Sequence, residues 1–341
     1  MKGPFFKFLG VALATLSLES RSLLRPAEIL PEITTRWSED SVSFTLKDSH
    51  LEEGPVFHTF DKKFFYKHLL PSGPIKYRHH PEQMVTGKKL SELIEHLIVE
   101  IKQHKRFFRD FIPIKTREFQ QKDFCGLLVL KFKNYPFVLK LFAENPKSFV
   151  SPYSKGFESS LFFVMGRGIM RHLTGFTRIQ NLEEVKVMIA QDPYWSSIID
   201  MPRKWYWMPK KNDWIEVTGK HINGKDDLKI DIPALYGLVC DEIQIDHSPN
   251  LFQRHHARRC MRLCQYVNFQ LDPHIKNFYI EKETGKLALI DTEHFHMLCG
   301  VDETWKADNY TSWYLKLTGK YLKDKFFRTK SERIRAQQPR T

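Results

Sequence analysis

The chain has 341 residues, 42% of them apolar and 27% charged, a balance that excludes wholesale disorder, a collagen and an integral membrane bundle. Lysine and arginine number 53 against 40 acidic residues, a formal net charge of +13, so the surface attracts phosphates, nucleic acid or anionic lipid. Five cysteines, Cys125, Cys240, Cys260, Cys264 and Cys299, are too few for a disulfide scaffold, and Cys260 and Cys264 read as the buried side of one helix.

At the N-terminus, Lys2 and Lys7 lead into an apolar run from Phe8 to Leu18, and polarity returns at Glu19, Ser20, Arg21 and Ser22. This is the layout of a secretory signal, and the run is too short to cross a bilayer as a helix. A signal peptide or N-terminal anchor is expected over 1–22. It predicts an exported protein, periplasmic or secreted, or one held at a membrane by its N-terminus. Residues 1–20 folded as an ordinary first helix would instead leave the protein cytoplasmic.

Residues 23–87 are broken by Pro26, Pro31, Pro55, Pro71, Pro74 and Pro81, with short alternating pieces such as Val42 to Leu46; loops and a small strand pair are predicted. From 88 to 111, Leu90, Leu93, Ile94, Leu97, Ile98, Ile101 and Phe108 recur at helical steps behind Thr86 as N-cap, closing an N-terminal extension over 23–112. The period then drops to two. Leu127 to Phe132 and Phe137 to Phe142 form a hairpin across 133–136, a helix follows over 157–173, and 205–208 with 214–217 form a second hairpin. Further helices are predicted over 233–245 and 251–269, then a third hairpin from Phe278 to Ile280 and Leu287 to Ile290, and finally a basic tail.

Asp272, Asn277, that last hairpin, and Asp291 at its exit put two oxygen ligands and a carboxylate near one turn. Hard oxygen donors of this kind suit Mg²⁺. Upstream, Phe137-Val138-Leu139-Lys140 places a lysine on an apolar strand, Glu158 follows eighteen residues later in the next helix, and Trp214 to Gly219 forms another strand. In this order the segments resemble the protein kinase-like superfamily, which includes protein kinases and aminoglycoside phosphotransferases, over roughly 115–295.

The resemblance implies an α+β, two-lobed protein kinase-like fold. An antiparallel N-lobe sheet would occupy 113–218, and a reduced helical C-lobe with the basic tail 219–341. It implies an atypical phosphotransferase that moves the γ-phosphoryl of ATP to a hydroxyl of an unknown acceptor. Asp272 would orient or deprotonate the acceptor, Asn277 and Asp291 would hold Mg²⁺, with Glu293 as an additional ligand, Lys140 would neutralise phosphate charge, and Glu158 would fix Lys140. Glu216 and Thr218 would lie on the fifth strand and hinge that take the adenine. The sequence departs from the family in three places: 120–126 holds one glycine, Gln270-Leu271 replaces the family's histidine, and Thr292-Glu293 replaces its glycine. A catalytically inactive pseudokinase-type binding module therefore stands as an alternative. So does a secreted basic protein that binds anionic lipid or nucleic acid, although no specific nucleic-acid signature is present.

Overall fold

A computed structural model describes residues 29–38, 42–47, 55–147, 169–249, 254–295, 306–307, 309–327 and 334–335. The expected signal over 1–22 and Glu158 lie outside the described residues. The chain divides into two units, Met1–Leu30 and Pro31–Thr341, and every strand and helix named here belongs to the second.

Alternation makes β1 (Glu32–Trp37) and β2 (Ser43–Lys47), an antiparallel pair whose inward side chains include Ile33 and Leu46. A short helix α1 (Lys62–Lys67), capped by Asp61, and the hairpin of β3 (Pro74–Lys76) with β4 (Met84–Thr86) lead into α2 (Gly87–Lys102). Thr86 caps α2 as its position predicts, its hydroxyl accepting from the Lys89 N–H at 3.2 Å. The helix ends at Lys102 rather than 111. No apolar residue continues the stripe for two turns after Ile101, His104 turns left-handed (φ 55°), and Phe108 and Phe111 are drawn into a sheet core instead.

That sheet is built from β5 (Phe111–Lys115), β6 (Phe119–Gln120), β7 (Cys125–Phe132) and β8 (Phe137–Ala143), where β7 and β8 form the hairpin that the alternation predicts. Helix α3 (Ile169–Ala190) follows, then α4 (Pro193–Ile198), β9 (Ile199–Asp200), β10 (Lys204–Trp207), β11 (Trp214–Lys220), β12 (Leu228–Pro233), β13 (Leu235–Asp241) and β14 (Ile245–His247). The described chain is completed by α5 (Arg254–Tyr266), β15 (Phe278–Glu281), β16 (Leu287–Leu289), α6 (Tyr310–Phe327) and β17 (Ile334–Arg335).

The protein is thus a mixed α+β fold with antiparallel sheets and several helices. One sheet has the order β10-β13-β8-β7-β5 with β6 also on β7; a second has β12-β11-β1-β2-β17; a third, β14-β15-β16-β9, ends in a parallel pair. Two sequence expectations are corrected here. Residues 205–208 and 214–217 do not pair with each other: β10 lies on β13, whereas β11 lies between β1 and β12. The stretch 233–245 holds strand β13 and no helix, because β13 is buried on both faces between β10 and β8 and so shows a continuous apolar run instead of alternation. Strands β5 and β11 also run through the boundaries drawn from sequence at 112/113 and 218/219.

The sheet of β8 has two covered faces. Leu90, Ile94, Leu97 and Ile101 of α2 pack on Leu128, Leu130, Leu139 and Leu141. The opposite face, with Leu127, Phe142, Tyr236 and Leu238, packs on Leu173, Phe176 and Ile179 of α3 and on Ile33, Ile215 and Val217 of the second sheet. A separate core joins Val185 and Ile189, further along α3, to Cys260, Leu263 and Cys264 of α5, Phe278, Leu287 and Leu289 of the hairpin, and Trp313 of α6. Helix α3 therefore contributes to two hydrophobic clusters, and Arg178 and Asn181 lie where its contribution passes from one to the other. Among the described residues no helix is long and apolar enough to cross a membrane.

Candidate functional site

Lys140 stands on β8, a central strand, so it is not a solvent-facing edge lysine. Because side chains alternate along a strand, Lys140 points away from α2 while Leu139 and Leu141 pack towards it. Its ammonium lies 3.4 Å from Asp291 Oδ2 and 3.4 Å from the Ile290 carbonyl oxygen, which bridges 151 positions of sequence. Burial pulls the Lys140 pKa down, and Asp291 partly opposes that pull.

Asp291 has a second cation. Arg178 of α3 donates to Asp291 Oδ1 at 2.5 Å and to Glu293 Oε2 at 2.8 Å, and its side chain is 1% exposed. Burial works against the guanidinium charge, but Asp291 and Glu293 outweigh it and hold the pKa above its ordinary value. Lys204 at the start of β10 is buried as well; it donates to the Thr292 hydroxyl at 2.6 Å, which in turn donates to the Arg178 carbonyl at 2.6 Å. Desolvation brings the Lys204 pKa down to about 7.

Asp272 is positioned locally. Helix α5 gives way to Asn268 and Phe269, both left-handed (φ 49° and 55°), and the chain then turns at Asp272-Pro273. Asp272 Oδ1 accepts from the His274 N–H at 2.9 Å, and Oδ2 from the Asn277 amide at 3.0 Å. Burial and the nearby negative charges of Glu293 and Asp291 raise the Asp272 carboxyl to about 7, against the lowering pull of its hydrogen bonds to His274 and Asn277. Asn277 closes the base of the hairpin through its carbonyl, which accepts from the Ile290 N–H at 3.1 Å. Asn181 of α3 ties the two loops together, donating to the carbonyls of Gln270 (3.0 Å), Thr292 (3.2 Å) and Glu293 (3.3 Å).

The structure therefore brings Lys140 and Asp291 into contact and joins Asp272 to Asn277 on the adjoining loop. It does not bring Glu216 or Thr218 to them. Both lie on β11 in the other sheet, where Glu216 sits between Arg36 (2.5 Å) and Lys229 (2.6 Å), hydrogen bonds that pull its carboxyl below the usual range. The strands beside Lys140 are β7 and β13, with Val129 and Leu238 paired to it. The lone glycine of 120–126 also has a structural reason. Gly126 has φ 108°, and a Cβ there would stand 2.1 Å from the Glu118 carbonyl oxygen.

Sequence reasoning overlooked Arg178, Asn181 and Lys204. A signal existed for the first two, because polar side chains at those positions interrupt the stripe Leu173, Phe176, Ile179, Leu182 and Val185, all buried. Polar residues on a core-facing helix stripe need partners, and their partners lie in both loops.

The donor set tests the expected Mg²⁺. Asn277 and Asp291 are hard oxygen ligands in kind, but the two carboxylate oxygens of Asp291 already face Arg178 and Lys140, and Glu293 faces Arg178. As these side chains stand, they do not fit a divalent ion on Asp291. Compared with protein-family models, curated proteins and solved structures, the chain matches none of them.

Proposed function

We propose that the protein is an atypical kinase-like phosphotransferase in a two-lobed arrangement. The sheet of β8 with α3 would form one lobe, and α5, the β15–β16 hairpin and α6 the reduced other. The observation that carries this reading is the 3.4 Å approach of Lys140 to Asp291, two residues that the resemblance to the kinase-like superfamily assigns to one site. The order of elements supports it too. If β5 and β6, which both pair with β7, count as one interrupted strand, Lys140 falls on the third strand of its sheet and α3 follows it. β13 is then the fifth strand, in place of β11, and the adenine would lie against the backbone that follows Asp241.

In this reading ATP lays its phosphates along Lys140, which neutralises charge in the transition state. Asp272 accepts the proton of the acceptor hydroxyl as that oxygen bonds to the γ-phosphorus, the β–γ bridging bond breaks, and ADP leaves. The acceptor remains a hydroxyl compound of unspecified class. The test is nucleotide binding followed by turnover: ATP should raise the Tm of the full chain, K140M should weaken binding at least tenfold, and D272N should bind ATP but release no ADP. Absence of any ATP stabilisation, with or without Mg²⁺, overturns the reading. Binding without turnover in the wild type identifies the pseudokinase-type module instead.

A second reading, a basic protein that docks on anionic lipid, is favoured by one surface. Phe107 is 87% exposed, Ile112 and Ile114 of the edge strand β5 are exposed, and 102–133 holds nine basic side chains against three acidic ones. Apolar side chains set among cations suit an anionic bilayer surface. Cosedimentation with phosphatidylserine vesicles but not phosphatidylcholine vesicles, weakened by F107S, is the expected result; equal recovery with both lipids removes this reading.

A further inference from the structure

The Lys140–Asp291 site contains a cation of its own where the sequence expectation calls for a metal. We propose that Arg178 permanently takes the place of the divalent ion, bridging Asp291 and Glu293 so that the site accepts a nucleoside di- or triphosphate without Mg²⁺. The ligand named here rests on the phosphotransferase reading; the metal substitution itself rests on geometry alone.

Three observations lead there. First, the guanidinium is divided between two carboxylates, one nitrogen on each, at 2.5 and 2.8 Å. This is the bridging position that an ion shared by Asp291 and Glu293 would occupy, and a planar fork of donors fills it well. Second, Arg178 is almost wholly buried whereas Lys140 (13% exposed) and Asp291 (19%) reach the surface. An incoming polyphosphate thus meets the lysine first, with the arginine behind the carboxylate. Third, the arginine is built into its place. Its carbonyl accepts from Thr292, Asn181 one turn along α3 holds the Thr292 and Glu293 carbonyls, and the Phe142 ring lies 5.7 Å from the guanidinium. Moving it aside for an ion would strand two carboxylates in a desolvated site and break α3 from the 291–293 loop.

The electrostatic consequence is direct. Metal-dependent sites use the ion to offset the repulsion between acidic ligands and phosphate. Here Arg178 offsets one of the two carboxylate charges from within, and Lys140, in contact with Asp291, offsets the other and is the cation an incoming phosphate meets.

Two measurements on the full chain test this. Mn²⁺ alone, followed by its electron paramagnetic resonance signal, should remain free in the presence of wild-type protein, and R178Q should acquire a bound Mn²⁺ that R178Q/D291N lacks. ADP and ATP should bind the wild type in EDTA within about twofold of their affinity in Mg²⁺, whereas R178Q should need Mg²⁺ for at least a tenfold gain. Tight Mn²⁺ binding by the wild type that disappears in D291N overturns the proposal, even if R178Q fails to fold. Nucleotide binding only with Mg²⁺ also overturns it. No nucleotide binding under either condition refutes the phosphotransferase reading and the ligand named here, while the Mn²⁺ arm still decides whether Arg178 has taken the metal's place.

Discussion

Two acidic residues in this protein have nearly identical surroundings on paper. Glu216 sits between Arg36 at 2.5 Å and Lys229 at 2.6 Å; Asp291 sits between Arg178 at 2.5 Å and Lys140 at 3.4 Å. The difference is solvent. Arg36 and Lys229 are 47% and 56% exposed, so water screens both contacts, whereas Arg178 is 1% exposed. An exposed pair contributes about 0–1 kcal/mol. Removing one partner of a buried pair leaves an uncompensated charge and costs about 3–5 kcal/mol. Similar distances therefore mark a surface ornament on β11 and a structural linchpin on α3.

The largest predicted effect follows at once. R178M should lower unfolding stability by about 3–5 kcal/mol in urea titrations, and adding D291N and E293Q should recover part of that loss, because it removes the stranded charges. A loss no greater than that of E216A would erase the contrast between the two sites.

The next effect is pH dependence, which should belong to the buried groups. His172 is fully buried and its pKa is pushed down to about 4 by burial, so the fold prefers the neutral ring. Stability should fall as pH drops from the unfolded value near 6.5 towards 4, by about 3 kcal/mol in all. Glu144 is pushed up to about 8 by burial, so stability should also fall as pH climbs from about 4.5 to 8, by a few kcal/mol. Melting curves from pH 4 to 9 should show both limbs; E144Q should reduce the alkaline one, to which the raised Asp272 carboxyl also contributes, and leave the acid one unchanged. Turnover, if Asp272 is the base, should rise with unit slope up to about pH 7 and then level off, matching its raised carboxyl.

A smaller effect probes how α3 holds its arginine. A Cβ at Gly175 would stand 1.9 Å from Tyr236 Oη, whose hydroxyl donates to the His172 carbonyl. G175A should therefore destabilise by about 1–3 kcal/mol through overpacking, the reverse of the usual gain for alanine in a helix, and should weaken nucleotide binding by displacing Arg178. A stability gain would show that α3 slides freely over β13. The smallest effect is on the other sheet: E216A should change stability by no more than about 1 kcal/mol and leave nucleotide affinity unchanged.

Legibility followed the range of the interactions. The β7–β8 and β15–β16 hairpins and the Thr86 cap involve residues a few positions apart, and alternation and capping chemistry reveal them directly. The α2 stripe was legible up to Ile101, but its end was not, because Phe108 and Phe111 fit a helical step and a sheet core equally well until the sheet is known. β13 was read as helix because a strand buried on both faces loses its period. β11 was set beside the wrong strand because Trp214 to Gly219 alternates like any hairpin arm, while its partners β1 and β12 lie respectively about 180 residues upstream and just downstream.

What the amino-acid order determined by itself was the local grammar: the hairpins, the capped helix, and the succession Lys140, Asp272, Asn277, Asp291 along the chain. Only the tertiary structure decided that β13 lies beside β8, which acid of the two meets a buried cation, and that an arginine on α3 reaches Asp291 and Glu293. Strand partnership and the energy of an ion pair both depend on residues distant in sequence and on the water that packing removes, and neither quantity is written in any short window of the chain.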